Sequence, residues 1–583
     1  MAQRARATSA HHLWRLVLVP LPFLMMLPFL IDPTFSLVDD GVSLQTAMRM
    51  DIDKMSKKPD GSGERHSRHW YVEEHRGRVR PVYWWWLWLN YKLYGFNCHA
   101  WHIGLGVSIA LILQLAYELS YRATGSVLAS VVAGGLIVAF HPYAAIFTRL
   151  GLGEVPMLLL IGVSVLCMMR GWSLGPRVPG GKQAQLWLWF GLAVVTLGLA
   201  YFVKETSLVM LPTSVVMLLA LWRRESDAAS KVFLVGYVLA NVAAAVALLS
   251  YVVPAMKLPP PGEAPKYSHL YLYYKLGWML DSVSSYLRYV ARAWSALPVL
   301  ALAAMGVKLA RSWRAGRLAD EQRWQLVWLT CAAASLLVIA PWGGSDERIA
   351  RYLLPFTMFA AIFIGWEVIW LVQSTRRLLA GYAKAPGKYE LQRLTLRSVL
   401  VLVVALGVLA MMNFPFAYKG VLDAWRIEAV SGNLLRGLAA RAPQGRPLYA
   451  KLVVEEQEEL RYGMRLHLGM IYGREDFNKD RLVKYFGPPG DPAVREGYVG
   501  LPEAGEWVLV PWSVGRQRGQ LNVAALSQLL KATQMFVVTE HGWEVMPNSS
   551  VLMQKLSRLK EAWVVLETGE AIDFSDDTEG GAS

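Results

Sequence analysis

Cysteine is scarce in this 583-residue chain. Cys98, Cys167 and Cys331 are odd in number, far apart and without CxxC spacing, so neither a disulfide framework nor a thiolate metal site is indicated. Charge is thin as well, at 18% of residues against 54% hydrophobic, and the mean hydropathy of +0.31 is too high for a soluble enzyme. No internal repeat is visible. Arg4, Arg6 and Arg15 precede an apolar run from Leu16 to Leu30, as in a secretory signal, yet no small-residue cleavage site precedes Asp32. The run therefore reads as a retained first span. The net charge of +15 does not indicate nucleic acid, because Lys and Arg cluster between apolar runs, where they fix membrane orientation.

What the chain has instead is a series of apolar windows of the length, about twenty residues, that crosses a bilayer as helix. They fall at 13–31, 100–119, 125–147, 154–170, 185–203, 206–222, 232–252, 294–310, 324–341, 353–373 and 397–416. The expected fold is an α-helical polytopic membrane protein with about 11 transmembrane helices and a small C-terminal α/β domain. Counting from a cytoplasmic N-terminus, inner loops are rich in base, one of them holding Lys308, Arg311, Arg314, Arg317 and Arg323. The short outer loops hold only Arg149, Lys204, Arg348 and Arg351, as the positive-inside rule requires. The odd span count puts everything after Phe416 outside.

Two outer segments are long. One, from Asp32 to His99, ends in Arg78, Arg80 and Pro81 followed by an aromatic run containing Tyr83, Trp84, Trp85, Trp86, Trp88, Tyr91 and Tyr94, the composition of a helix in the headgroup layer. The other, Pro254 to Ala293, opens on Pro259-Pro260-Pro261 and continues as a second interfacial helix over Tyr267 to Tyr289. Past Phe416 the apolar runs shorten and Gly, Pro and charge rise. Residues 1–416 are read as the membrane domain, 417–572 as an extracytoplasmic α/β domain, and 573–583 as an acidic, disordered tail. Strands are expected at 447–454, 507–511 and 535–539, with helices near 455–466 and 523–533.

Chemistry-bearing residues gather in the outer loops. Asp39 and Asp40 sit just after the first span, where ionisable groups are costly and by default functional, although Asp40 could equally cap a helix starting near Val42. The loop from His141 to Glu154 contains Arg149. Lys204-Glu205 lies between spans, and Arg348, Arg351 and Tyr352 precede the tenth. Each has a bland reading as an exposed ion pair, a helix-terminus charge or a headgroup anchor. Together, acids and bases on one membrane face suit a reaction that needs a general base and phosphate neutralisation, such as glycosyl transfer from a lipid-linked phosphosugar.

In motif order the acid pair, the Arg80-Pro81 aromatic segment through Tyr94-Gly95-Phe96-Asn97 to Trp101-His102, the His141-Pro142 loop ending in Glu154, Lys204-Glu205, and Arg351-Tyr352-Leu353-Leu354-Pro355 resemble the GT-C superfamily of membrane glycosyltransferases. The likeness covers roughly residues 13–416 and is greatest to the protein O-mannosyltransferase and aminoarabinose-transferase group. It implies a polyprenyl- or dolichyl-phosphate sugar donor, an inverting transfer, and a protein, glycan or lipid acceptor. It also implies that Asp39 with Asp40 supplies the general base, that Glu154 is a second acid near the acceptor or an optional metal, and that Arg80, Lys204, Arg348 and Arg351 bind the donor phosphate. His141, Arg149, Glu205 and Tyr352 are further candidates. The chain departs from many relatives in having Asp39-Asp40 where they have Asp-Glu, and in an α/β rather than a helical-repeat C-terminus. A divalent cation is not required by the sequence.

The competing reading is a transporter or flippase for a lipid-linked or anionic substrate, since intramembrane charge also marks transport paths. Against it, the charges lie in loops on one side and no pair of interrupted spans suggests an inverted repeat. A catalytically dead scaffold is a third possibility. The absence of secretory disulfides favours a bacterial inner membrane, with the C-terminal domain periplasmic.

Overall fold

Proline and glycine punctuate the N-terminal half of a computed structural model of the chain. The structure describes residues 11, 13–35, 40, 43–44, 47, 72–73, 78–140, 144–174, 183–222, 228–255, 276–315, 319–339, 353–382, 390–450, 463–464, 467–474, 476, 483–486, 499–500, 502–513, 523–559 and 561–569. The first apolar window is broken into α1 (Pro20–Met25) and α2 (Leu27–Ile31), each with Pro in its first turn, where a missing N–H costs nothing. A two-stranded ribbon, β1 (Val72–Glu73) and β2 (Arg78–Val79), leads into the aromatic helix α3 (Pro81–Tyr94). That helix stops at Gly95, whose φ of +55° suits a residue without a Cβ. Next comes α4 (Cys98–Thr124), where the Asn97 side chain accepts the Ala100 N–H at 3.1 Å.

Then follow α5 (Val127–Val138), the one-turn α6 (Ala144–Thr148), α7 (Glu154–Leu174) and α8 (Gln183–Tyr201). A 3-10 turn, Glu205–Val209, enters α9 (Met210–Trp222), followed by α10 (Ala228–Ala255). The amphipathic α11 (Leu276–Trp294) bends by 94° into α12 (Leu297–Arg314). The bundle ends with α13 (Asp320–Ile339), α14 (Leu354–Tyr382) and α15 (Glu390–Met411).

Among the described residues, six helices are long and apolar enough to cross a membrane, or seven if the bent α11–α12 pair is one span. Helix lies in all eleven expected windows, but the first is broken, α5 and the apolar part of α15 are short, and α13 is less apolar, so those four windows fall outside that set. The exposed side chains of the crossing helices confirm their solvent. Leu188 and Val195 on α8, and Leu239 and Val246 on α10, are each more than half exposed, and such apolar faces belong against lipid. The chain is an integral membrane protein. At the centre, α14 buries 83% of its apolar window against α5, α12, α13 and α15. A Lys308–Glu367 ion pair of 3.0 Å ties α12 to α14, with the Lys308 ammonium 4.4 Å from the Trp370 ring centre.

The expected boundary after Phe416 falls in the first turn of α16 (Phe414–Arg441). Beyond it the strands β3 (Leu448–Ala450), β4 (Val483–Phe486), β5 (Val499–Gly500), β6 (Trp507–Ser513), β7 (Gln534–Thr539), β8 (Gly542–Met546) and β9 (Glu561–Glu567) form one sheet in the order β5-β4-β3-β6-β9-β7-β8. The first four are parallel, and β9, β7 and β8 complete it antiparallel. Alternation along the strands builds two cores. Leu509, Phe536, Val538 and Val565 pack with Leu434 and Leu438 of α16, whereas Val508, Val537 and Val564 pack with Leu526 of α17 (Val523–Leu529) and Leu552 of α18 (Ser549–Leu556).

One arginine ties this sheet to α16. Arg474 donates to the carbonyls of Ala439 at 3.0 Å and Ala442 at 3.2 Å, orphan acceptors at the helix C-terminus, and grips Asp476 with both a 2.9 Å and a 2.8 Å bond. The Arg474 hydrogen bonds hold the Asp476 carboxyl below its ordinary 3.8, at about 2. Because the folded value is the lower one, the stabilisation is complete above pH 3.8 and is lost as pH falls through about 2. Chemical denaturation of the wild type followed on the C-terminal unit is therefore expected to weaken between those pH values. Asp476→Asn should lose stability at neutral pH and show a flatter profile in that acid range.

Candidate functional site

The outer-loop candidates converge on the turn between α6 and α7. Leu150 donates its backbone N–H to Asp40 Oδ1 at 2.9 Å, across 110 residues of sequence, and Asp40 is only 1% exposed. The turn is glycine-rich for a steric reason. A Cβ on Gly151 would stand 2.7 Å from Ser43 Cβ, and one on Gly153 would stand 3.3 Å from the Tyr83 ring and 3.8 Å from Lys204 Cδ. Tyr83 of α3 donates its hydroxyl to the Gly151 carbonyl at 2.5 Å. The segment that carries Asp40, the aromatic helix, the turn and Lys204 are thus one contiguous packing unit.

Two ion pairs close it. Glu154 begins α7, where a carboxylate favours the positive end of the helix, and it accepts from the Lys204 ammonium. Both are buried, Glu154 at 1% exposure. Lys204 follows the end of α8 in extended backbone, φ −159°, and its carbonyl accepts from Ser207 at 2.8 Å. The next residue, Glu205, takes both arms of Arg80, Nε at 3.1 Å and Nη2 at 2.6 Å, a forked geometry that fixes the guanidinium plane. Arg80 is in turn placed by the start of α3, whose Val82 N–H reaches the Phe202 carbonyl at 3.1 Å. Arg149 is half-buried in the same turn.

Of the residues singled out in the sequence, Asp40, Arg80, Glu154, Lys204 and Glu205 are therefore brought together around this turn, which also carries Arg149. Asp39, His141, Arg348, Arg351 and Tyr352 lie outside the described residues. Tyr83 and Gly151 were not candidates. The tyrosine is hidden in an aromatic run that reads as a membrane belt, and a glycine shows its steric role only once Ser43 is seen against it. Among the described residues no group of three or more His, Cys, Asp or Glu is placed to hold a metal ion. A narrow cleft beside the site is lined by Trp86, Asn90, Trp101, Ser108, Leu150 and Leu152.

No protein-family model matches the chain, and no curated protein does. Solved structures do resemble it. ArnT from Cupriavidus metallidurans bound to undecaprenyl phosphate is 14% identical over 95% of this chain and 98% of that one, with a TM-score of 0.44; its apo state gives 0.46 over 96% and 98%. The Archaeoglobus fulgidus oligosaccharyltransferase in the apo form is 12% identical over 79% of this chain and 63% of that one, with a TM-score of 0.44. These neighbours are GT-C glycosyltransferases. At such identities and scores the likeness carries no residue-by-residue correspondence, and the site is read from its own geometry.

Removing one member of a buried ion pair strands the other. Lys204→Met is expected to destabilise the protein by about 3–5 kcal/mol, whereas Lys204→Met combined with Glu154→Gln should recover most of that loss. Thermal unfolding of the three purified proteins in one detergent checks this. Equal losses in the single and double variants would contradict a direct pair.

Proposed function

We propose that this protein is an inverting glycosyltransferase. It moves a sugar from a polyprenyl-phosphate-linked donor to an acceptor hydroxyl of a protein, glycan or lipid on the extracytoplasmic membrane face. The observation that carries the reading is the convergence of Asp40, Glu154, Lys204, Glu205 and Arg80 from four distant segments at one end of an apolar helix bundle. Buried charge of both signs at a membrane exit is expensive and belongs to a site more readily than to a scaffold.

In the reaction, the Asp39-Asp40 pair supplies the base that takes the acceptor hydroxyl proton as that oxygen bonds the anomeric carbon. The bond from that carbon to the phosphate oxygen breaks, its electron pair leaves with the lipid phosphate, and the configuration inverts. Asp40 is fixed by the Leu150 N–H, which sets where the pair can act. Lys204 and Arg80 face the phosphate, with Glu154 and Glu205 holding them in register until it enters. Because the two cations are matched by carboxylates, the leaving phosphate calls for more positive charge, which Arg149, Arg348 and Arg351 provide. Eleven crossings, a cytoplasmic N-terminus, a periplasmic 417–572 domain and a bacterial inner-membrane location complete the proposal.

Asp39→Asn and Asp40→Asn are each expected to insert normally, and the variant that removes the base should lose at least about 100-fold in transfer rate. Transfer of labelled sugar from a polyprenyl-phosphate donor by reconstituted protein measures it. Full activity in both variants removes the base assignment, and net substrate movement across vesicles without a new glycosidic bond would favour transport instead.

A further inference from the structure

The Asp40–Leu150 hydrogen bond joins two segments, and α16 is packed against both. On one side is the chain at Leu30 to Phe35, upstream of Asp40. Trp425 Nε1 donates to the Asp32 carbonyl at 3.1 Å, Arg436 stands 3.8 Å from the Asp32 carboxylate, and a Cβ on Gly432 would lie 3.0 Å from the Thr34 methyl. His467, from the segment after β3, sets its ring edge-on to Phe35 at 6.0 Å. On the other side is α6, the turn of helix that delivers Leu150, and α16 packs against it too. The opposite flank of the 30–35 segment is held by α4, where a ring nitrogen of His99 bonds the Leu30 carbonyl at 2.5 Å and Nε2 of His102 bonds the Thr34 carbonyl at 3.1 Å. His102 is fully buried, and its Nδ1 has no partner, so the Nε2–H tautomer is the one that satisfies this bond.

Backbone carbonyls of an irregular segment must find donors when buried. Here the Thr34 carbonyl is buried and the Asp32 carbonyl part-buried, and they are met by side chains from two different helices, His102 of α4 and Trp425 of α16. Nothing in the packing of the sheet on α16 needs such contacts, because the face of α16 that carries Leu434 and Leu438 already serves the sheet. The contacts at Trp425, Gly432 and Arg436 instead bear on Asp32 and Thr34, upstream of Asp40.

We infer that α16 is a brace that couples the C-terminal sheet unit to the acid loop, with Trp425 and His102 as positioning residues that set Asp40 against Leu150. The C-terminal unit then controls the reach of the base. The enzymatic consequence rests on the glycosyl-transfer reading, but the brace has a readout of its own. The Leu150 amide is protected from hydrogen exchange by Asp40, so loosening the brace must expose it.

The test is hydrogen–deuterium exchange on the full-length protein in lipid nanodiscs, read at peptides containing Leu150. Trp425→Phe keeps the ring and removes the N–H. It is expected to speed exchange at Leu150 about tenfold, the scale of one hydrogen bond, with no change in α8 or β9. His102→Leu should act likewise, and His102→Gln, which restores a donor, should return exchange towards the wild-type rate. Where either Trp425→Phe or His102→Leu does not fold, the other decides. Unchanged Leu150 exchange in the folded variants, or an equal rise throughout the protein, overturns the brace. Where the wild type transfers sugar, the folded variant should lose about tenfold in kcat at unchanged donor KM; a loss confined to KM also overturns it. A wild type that transfers nothing removes the glycosyl-transfer reading while leaving the exchange result to judge the brace.

Discussion

Charge that leaves water at the end of an apolar bundle has to be matched inside the protein, and this one constraint organises the site. Lys204 and Glu154 are matched to each other, as are Arg80 and Glu205, while Asp40 is matched by a backbone N–H. Each match joins segments far apart in sequence, so satisfying the charges also fixes that end of the bundle. The aromatic helix lies across this arrangement and reaches into it through Tyr83, which is why its burial is uneven: Tyr83, Trp84 and Leu87 face inward and Trp85 faces out.

The same logic recurs deeper in the molecule. Lys308 reaches Glu367, a residue with no exposed surface, between the faces of Trp366 and Trp370. That pair lies between helices and involves none of the outer-loop candidates, so it reads as a tie within the bundle. The outer cluster differs in having irregular backbone, close glycine contacts and an adjoining cleft around it.

Much of this was legible in the sequence because the driving patterns are local. Apolar length marked α4, α7, α8, α9, α10 and α14, and the Trp/Tyr run marked α3 within a residue or two. The outer-loop residues could be grouped because loop sidedness follows from span order and basic charge. Pairing could not be read this way. Which carboxylate takes which cation is set by backbone turns such as that at Gly151, and no spacing encodes it. The first window failed as a single span because breaks precede Pro20 and Pro28, and β4, β5, β8 and β9 were missed because their runs are brief or carry charge. The docking of α16 on residues 30–35 spans almost 400 residues of sequence and leaves no periodic trace.

The sheet unit and the chain at residues 30–35 meet at one end of the bundle, where Trp425 of α16 bonds the Asp32 carbonyl. In the proposed reaction the lipid phosphate is received near that junction by Lys204 and Arg80, next to the acid pair. The most direct measurement is a cryo-electron microscopy structure of the protein in nanodiscs with a polyprenyl phosphate added. Density for the phosphate within hydrogen-bonding reach of Lys204 or Arg80, on the side of the turn that holds Asp40, is the expected result. A phosphate held at the opposite end of the bundle, with the Lys204–Glu154 and Arg80–Glu205 pairs untouched, would contradict it.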